Sequence, residues 1–264
     1  MKIAIIGTGN LGYSIAQGIL SQDNFTLDNL YLTKRNKSSL SSFEKFPKVK
    51  ISSNNKEAIQ YSDVIILAVQ PNQLIAVLEE VKTVIDTKRH TIISVITGRK
   101  IHEIEAIVGG EIAIIRSMPN TAISVGQSMT CISANEKGKE NIEFAKTIFN
   151  SLGNTLYIEE KLMQSATVIC ASGIAFWMRL IRATAQGAVQ LGFHADEAQE
   201  LAMQTCLGAA SLLIQSGSHP EQEIDKVTTP SGCTISGLNE MEHQGLSSSI
   251  IKGLVTSFEK INQI

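Results

Sequence analysis

Residues 2–12 read Lys2-Ile3-Ala4-Ile5-Ile6-Gly7-Thr8-Gly9-Asn10-Leu11-Gly12, and the fold follows from how that stretch is parsed. Residues 2–6 suit a short buried strand. The glycines match GxGxxG, and the pattern from there through Leu20 suits a helix. Strand, glycine turn and helix in that order form a turn able to hold a dinucleotide. Gly7 permits the tight bend, Gly9 lets backbone approach a pyrophosphate, and Gly12 lets helix and strand pack closely. The helix N-terminus adds free N–H groups and a partial positive charge.

A glycine turn with no ligand is the plainer alternative, and the downstream pattern decides against it. Further strands fit residues 30–32, 49–51, 63–69, 91–97, 112–116, 125–133 and 154–158. Helices fit from Pro71 to about Val84, at 101–108 and at 136–152. The segment DVIILAV at 63–69 is apolar almost throughout, as a parallel strand covered on both faces must be. Strands alternating with helices predict a parallel, doubly wound sheet.

The character changes near residue 160. Residues 162–218 number 57 and carry five charges: Arg179, Arg182, Asp196, Glu197 and Glu200. Helices that are apolar nearly all round need cover on most sides. A second domain of residues 160–264 is too small to supply that cover. We expect a dinucleotide-binding domain at 1–159 and an all-helical domain at 160–264 that packs against a second copy. One ordinary central helix is the alternative.

Composition excludes other classes. The 264 residues carry 23 Lys and Arg against 25 Asp and Glu, a net charge of −2. That gives no electrostatic case for nucleic acid or an anionic membrane as main partner. Only 18% of residues are charged, against about 25% typically, which suggests surface covered on assembly. The uncharged apolar run before Arg179 starts near Ala166, about thirteen residues, too few to span a bilayer. No targeting signal is read at the N-terminus, and the expected location is cytoplasmic. Cys131, Cys170, Cys206 and Cys233 are widely spaced and form no CxxC pair. His90, His102, His194, His219 and His243 are scattered in polar contexts and read as solvated or capping groups, not metal ligands.

After the second strand, where an NAD site usually carries an acidic residue, the chain has Thr33-Lys34-Arg35-Asn36. A hydroxyl and two cations suit a ribose 2′-phosphate, so NADPH is the expected cofactor, with NADH the alternative donor.

At this point the sequence resembles the pyrroline-5-carboxylate reductase family. GTGNLG resembles its GxGNMG, and DVIILAVQP its DvviLAVKP. Met118-Pro119-Asn120-Thr121 matches its MPNT. Ala171-Ser172-Gly173, with Ala175 and Phe176, is similar to its SGSGPAY, and VTTPSGCT at 227–234 resembles its VTSPGGTT. The resemblance implies a Rossmann domain followed by a helical domain that interlocks into a homodimer, with dimers assembling further. It implies NADPH-dependent reduction of 1-pyrroline-5-carboxylate to L-proline, the last step of proline biosynthesis.

Carried over by position, Gly7, Gly9, Asn10, Leu11 and Gly12 would hold the pyrophosphate. Thr33, Lys34 and Arg35 would surround the 2′-phosphate, with Asn55 near the adenosine end. Ala68, Val69 and Pro71 would line the nicotinamide ribose, beside Gln70. Met118, Pro119 and Asn120 would face the nicotinamide and the substrate ring, with Val227 shaping the pocket. Ser231, Gly232, Cys233 and Thr234 would receive the substrate carboxylate on backbone N–H groups, and the Thr234 hydroxyl would touch the ring nitrogen.

The chain departs from the family at four places. Gln70 stands for Lys, Ala171 for Gly, Ile174 for Pro, and Ser231 for a Gly whose position suggests a positive φ. Cys233 lacks a histidine nearby in sequence and reads as a small packing residue. Trp177, Phe176 and Met178 read as interface core. Reduction of a related imine and a non-catalytic, dinucleotide-sensing paralogue are the competing readings. A hydroxyacid dehydrogenase would want a lysine on the long helix after the boundary, and residues 162–218 contain none.

Overall fold

A computed structural model describes residues 1–21 and 26–261, as two compact units, Met1–Ala171 and Ser172–Lys260. The first is built on an eight-stranded sheet: β1 (Lys2–Ile6), β2 (Asn29–Thr33), β3 (Val49–Ser52), β4 (Val64–Leu67), β5 (Thr91–Ser94), β6 (Ala113–Met118), β7 (Ser128–Ala134) and β8 (Gly153–Tyr157). Its spatial order is β3-β2-β1-β4-β5-β6-β7-β8. Alternation explains why both faces are covered. Ile3, Ile5, Val64, Ile66, Ile93 and Ile115 pack into one core with α1 (Asn10–Leu20) and α5 (Ile142–Asn150). Their neighbours Ala4, Ile6, Ile65, Leu67, Ile92 and Ile114 pack into the opposite core. There they meet α2 (Asn55–Gln60), α3 (Leu74–Val81) and α4 (Ile101–Val108).

The sheet is not wholly parallel, contrary to the expectation. β7 runs antiparallel to β6, with Met118 opposite Cys131. Only residues 119–127 join the two strands, fewer than a parallel crossover needs. The strand read at 125–133 also begins later, at Ser128. Residues 121–125 form a 3-10 turn that Asn120 caps through the Ala122 N–H and that Gly126 ends at φ 69°.

The compact division falls at Ala171/Ser172, twelve residues beyond the 159/160 boundary read from composition. Residues 160–171 pack on the sheet. Met163 and Ala166 of α6 (Met163–Ala166) are buried against Met118 and Cys131. Glu160 accepts the Ile101 N–H at 2.7 Å and pairs with the buried Arg116 guanidinium at 3.4 Å.

The second unit is helical: α7 (Gly173–Gln190), α8 (Ala195–Ser216), α9 (Pro220–Val227), α10 (Cys233–His243) and α11 (Leu246–Ile261). Ala185, Ala198 and Ala202 are its buried contact, small side chains that let α7 and α8 approach closely. Trp177, Met178, Leu207, Leu212, Ile214 and Ile251 are left exposed. Residues 160–190 form one helical run of 31 residues, long and apolar enough to cross a membrane by length and composition. Length therefore does not exclude a span, because the apolar run continues as helix into its flanks.

Candidate active site

β1, β2 and β4 end together at the C-terminal edge of the sheet, and a cleft of about 600 Å³ opens there. Its walls include Gly7, Thr8, Gly9, Thr33, Lys34, Arg35, Asn55, Ala68, Val69 and Gln70. A second hollow, of about 430 Å³, shares Gly9, Ala68, Val69 and Gln70 with it and adds Asn10, Leu11 and Pro71. Twelve residues named in the sequence as cofactor contacts thus surround two adjoining hollows.

The glycines behave as their spacing demands. Gly7 sits at φ +89°, and a Cβ there would fall 2.5 Å from Val69 Cγ1. A Cβ on Gly9 would meet nothing within 4 Å and would stand in the cleft. Gly12 lines neither hollow. A Cβ on it would lie 2.7 Å from the Gly7 carbonyl oxygen and 3.2 Å from Ile5, so its absence lets α1 lie against β1. No side chain caps α1 at Gly9. The buried Thr8 hydroxyl also lacks a partner. An uncapped helix start, open backbone at Gly9 and an unpaired hydroxyl fit the phosphates of a dinucleotide.

Thr33, on the cleft wall, is also tied into the glycine turn. Its hydroxyl accepts the Gly7 N–H at 3.2 Å and donates to the Ile5 carbonyl at 3.4 Å. It braces the glycine turn, which leaves Lys34 and Arg35 as the groups free for a 2′-phosphate. Neither makes an ion pair among the described residues. Asn55 lines the cleft and donates to Glu80 Oε2 at 3.1 Å.

Met118, Pro119 and Asn120 line neither hollow and are buried in this chain. Met118 is packed with Cys131, Met163 and Ala166. Asn120 is spent on structure: its N–H donates to Ser128 Oγ, its Oδ1 caps the 3-10 turn, and its Nδ2 donates to the Cys170 carbonyl. Sequence reasoning missed Ala76, Val77 and Glu80, the stripe of α3 that faces the cleft, and Val95 to Thr97 after β5. Thr97 was legible by the rule that ligands gather beyond the carboxyl ends of parallel strands.

Within the second unit, residues 227–234 form the turn into α10. Ser231 has φ 59°, the only positive φ outside glycine among the described residues. The position does require the left-handed conformation suspected there. A Cβ on Gly232 would lie 2.5 Å from Thr229 Oγ1 and 3.0 Å from the Thr229 carbonyl oxygen, so a side chain there would have to displace Thr229. No side chain caps α10 at Gly232. Its first-turn N–H groups therefore face outward beside the exposed Thr234, an arrangement suited to an anion. Cys233 is exposed, not packed. Val227 is exposed at the end of α9.

His90 departs from the solvated reading. It is buried, and its Nδ1 accepts the Asp86 N–H at 2.9 Å. Burial first, and the adjacent Arg89 guanidinium second, hold its pKa below the ordinary value. His219 does cap, accepting the Glu221 N–H at the start of α9. No three His, Cys, Asp or Glu side chains among the described residues lie together to hold a metal.

Comparison with known proteins places these features. A family model described as pyrroline-5-carboxylate reductase dimerisation matches residues 160–264. One described as NADP oxidoreductase coenzyme F420-dependent matches residues 2–98. The chain is 44% identical to pyrroline-5-carboxylate reductase 1 of Dictyostelium discoideum over 98% of its own length, but spans only 49% of that relative. It is 42% identical to pyrroline-5-carboxylate reductase 2 of the same organism, over 98% of the chain and 91% of the relative. It is also similar to the crystal structure of Plasmodium falciparum pyrroline carboxylate reductase with NADP bound. That likeness has a TM-score of 0.85 at 27% identity and covers 99% of this chain and 97% of that one. With a glycine-turn cleft, an uncapped Thr234 turn and relatives of this closeness, the chain belongs to the pyrroline-5-carboxylate reductase family.

Proposed function

We infer that the protein reduces 1-pyrroline-5-carboxylate to L-proline and prefers NADPH as donor. The observation that carries the reading is the presence in one chain of two uncapped helix starts, one behind a glycine turn and one beside Thr234. Reduced nicotinamide bound in the cleft supplies the hydride to the C=N carbon. The remaining work falls to this chain's residues. Lys34 and Arg35 select the 2′-phosphate by charge-assisted hydrogen bonds. Backbone N–H groups at the start of α10 hold the substrate carboxylate, and the Thr234 hydroxyl orients the ring at its nitrogen. A protonated imine is already electrophilic, so a neutral hydroxyl suffices and no strong acid is needed.

The exposed apolar face of the second unit is the surface on which a second copy packs, in keeping with the dimerisation model at 160–264. A dinucleotide-sensing paralogue is the second reading, favoured by Gln70 and by the strained Ser231. Assays with wild type and Thr234→Ala separate the two. Imine-dependent NADPH oxidation, cut by the variant in kcat more than in the KM for NADPH, supports the reductase. A folded protein that binds NADPH yet turns over no imine supports the sensor.

A further inference from the structure

The spacing of the four cysteines pairs none of them, yet the fold brings two together. Cys131 is buried in β7, opposite Met118. Cys170 lies half-buried in the π-helical turn Thr167–Ser172 and packs on the cluster that contains Cys131, Met118 and Met163. Its carbonyl accepts the Asn120 Nδ2–H at 3.0 Å, which anchors the turn beside the same strand pair. The neighbouring Cys131 thiol lowers the pKa of the Cys170 thiol to about 7, against the opposing effect of burial. The Cys170 thiol, and then burial, push the Cys131 thiol up. Oxidant-sensitive cysteines combine thiolate character, exposure and a neighbouring thiol that resolves the product. Cys170 is half-buried and has a lowered pKa, and Cys131 is the neighbouring thiol.

We propose that Cys131 and Cys170 are an oxidisable dithiol, a modification site that a peroxide converts to an intrachain disulfide. The Cys170 thiolate attacks one peroxide oxygen and the O–O bond breaks. Cys170 becomes a sulfenic acid, and the departing hydroxide takes up a proton to give water. The Cys131 sulfur then attacks the sulfenic sulfur, the S–O bond breaks, and the Cys131 proton leaves with the hydroxide as a second water. Two thiols are oxidised and one peroxide is reduced.

The test uses the whole protein, treated with hydrogen peroxide, unfolded, blocked with iodoacetamide and cut with trypsin without reduction. Cleavage after Arg116, Lys137, Lys161 and Arg179 isolates Cys131 in peptide 117–137 and Cys170 in peptide 162–179. The expected result is these two peptides joined, short of two hydrogens, and released by dithiothreitol. The link should persist in a Cys206→Ser, Cys233→Ser variant. In Cys131→Ser, which keeps a hydrogen-bond donor beside the thiol but cannot form the disulfide, Cys170 should accumulate as a sulfenic acid trapped by dimedone. Recovery of both peptides singly alkylated, a link from Cys170 to any other cysteine or to a second copy, or oxidation of Cys131 with Cys170 intact would overturn the proposal.

Discussion

At the scale of single residues, two cations and one hydroxyl divide a task that the sequence assigned to all three. Thr33 is tied into the glycine turn, so the proposed preference for NADPH would rest on Lys34 and Arg35. A charge-assisted hydrogen bond is worth about 1.5–3 kcal/mol, or about 10–100-fold. The Lys34→Ala, Arg35→Ala double variant should therefore raise the KM for NADPH at least about tenfold and leave the KM for NADH nearly unchanged, read from initial rates with each donor. Ser231 offers a stability test. A non-glycine residue in the left-handed region costs about 1–2 kcal/mol. Glycine removes that cost but loses about 0.5–1 kcal/mol through its freer unfolded chain. Ser231→Gly should thus gain roughly 0.5 kcal/mol, and Ser231→Val should lose stability, both measured by urea unfolding.

His90 makes a prediction with a definite sign. Its folded pKa lies below the ordinary 6.5, so the unfolded chain takes the proton more readily. Its contribution is complete above about 6.5 and is lost as pH falls through the lower, folded value. Urea unfolding across that range should show the decline in wild type and a flatter profile in His90→Gln.

At the scale of elements, what was legible in the sequence was what depends on local pattern. β1, α1 and α4 fall where periodicity and glycines put them, because each buries one stripe or two faces of its own residues. The reversed β7 depends on loop length, which the pattern of residues 125–133 does not express. His90 was misread, and the structural bonds of Asn120 went unseen, for a related reason: their partners, Asp86, Ser128 and Cys170, become neighbours through tertiary packing and turns. The dimerisation family model and the long helical run both begin at residue 160, while packing joins residues 160–171 to the sheet. Glu160 tests that division. Removing one partner of a buried ion pair costs about 3–5 kcal/mol, and the partial exposure of Glu160 places it near the lower figure. Glu160→Ala should therefore destabilise the first unit by about 3 kcal/mol in urea unfolding.

At the scale of the whole molecule, the charge-poor helices find their reason in assembly. A residue such as Trp177, 62% exposed on α7, is what a dimerisation domain offers to its copy. A buried aromatic anchor contributes about 2 kcal/mol or more, roughly 30-fold in dissociation constant. Trp177→Glu should weaken the dimer by at least about that factor, seen as monomer by sedimentation at concentrations where wild type is dimeric.

The central claim is hydride transfer to the imine carbon of 1-pyrroline-5-carboxylate, and isotope placement tests it most directly. NADPH carrying deuterium at the transferable nicotinamide position would be incubated with the protein and the imine, and the product read by NMR. The reductase reading predicts proline with one deuterium on the ring carbon beside nitrogen that bears no carboxylate. Deuterium on the carboxylate-bearing carbon, or unconsumed NADPH with folded, cofactor-bound protein, would contradict it.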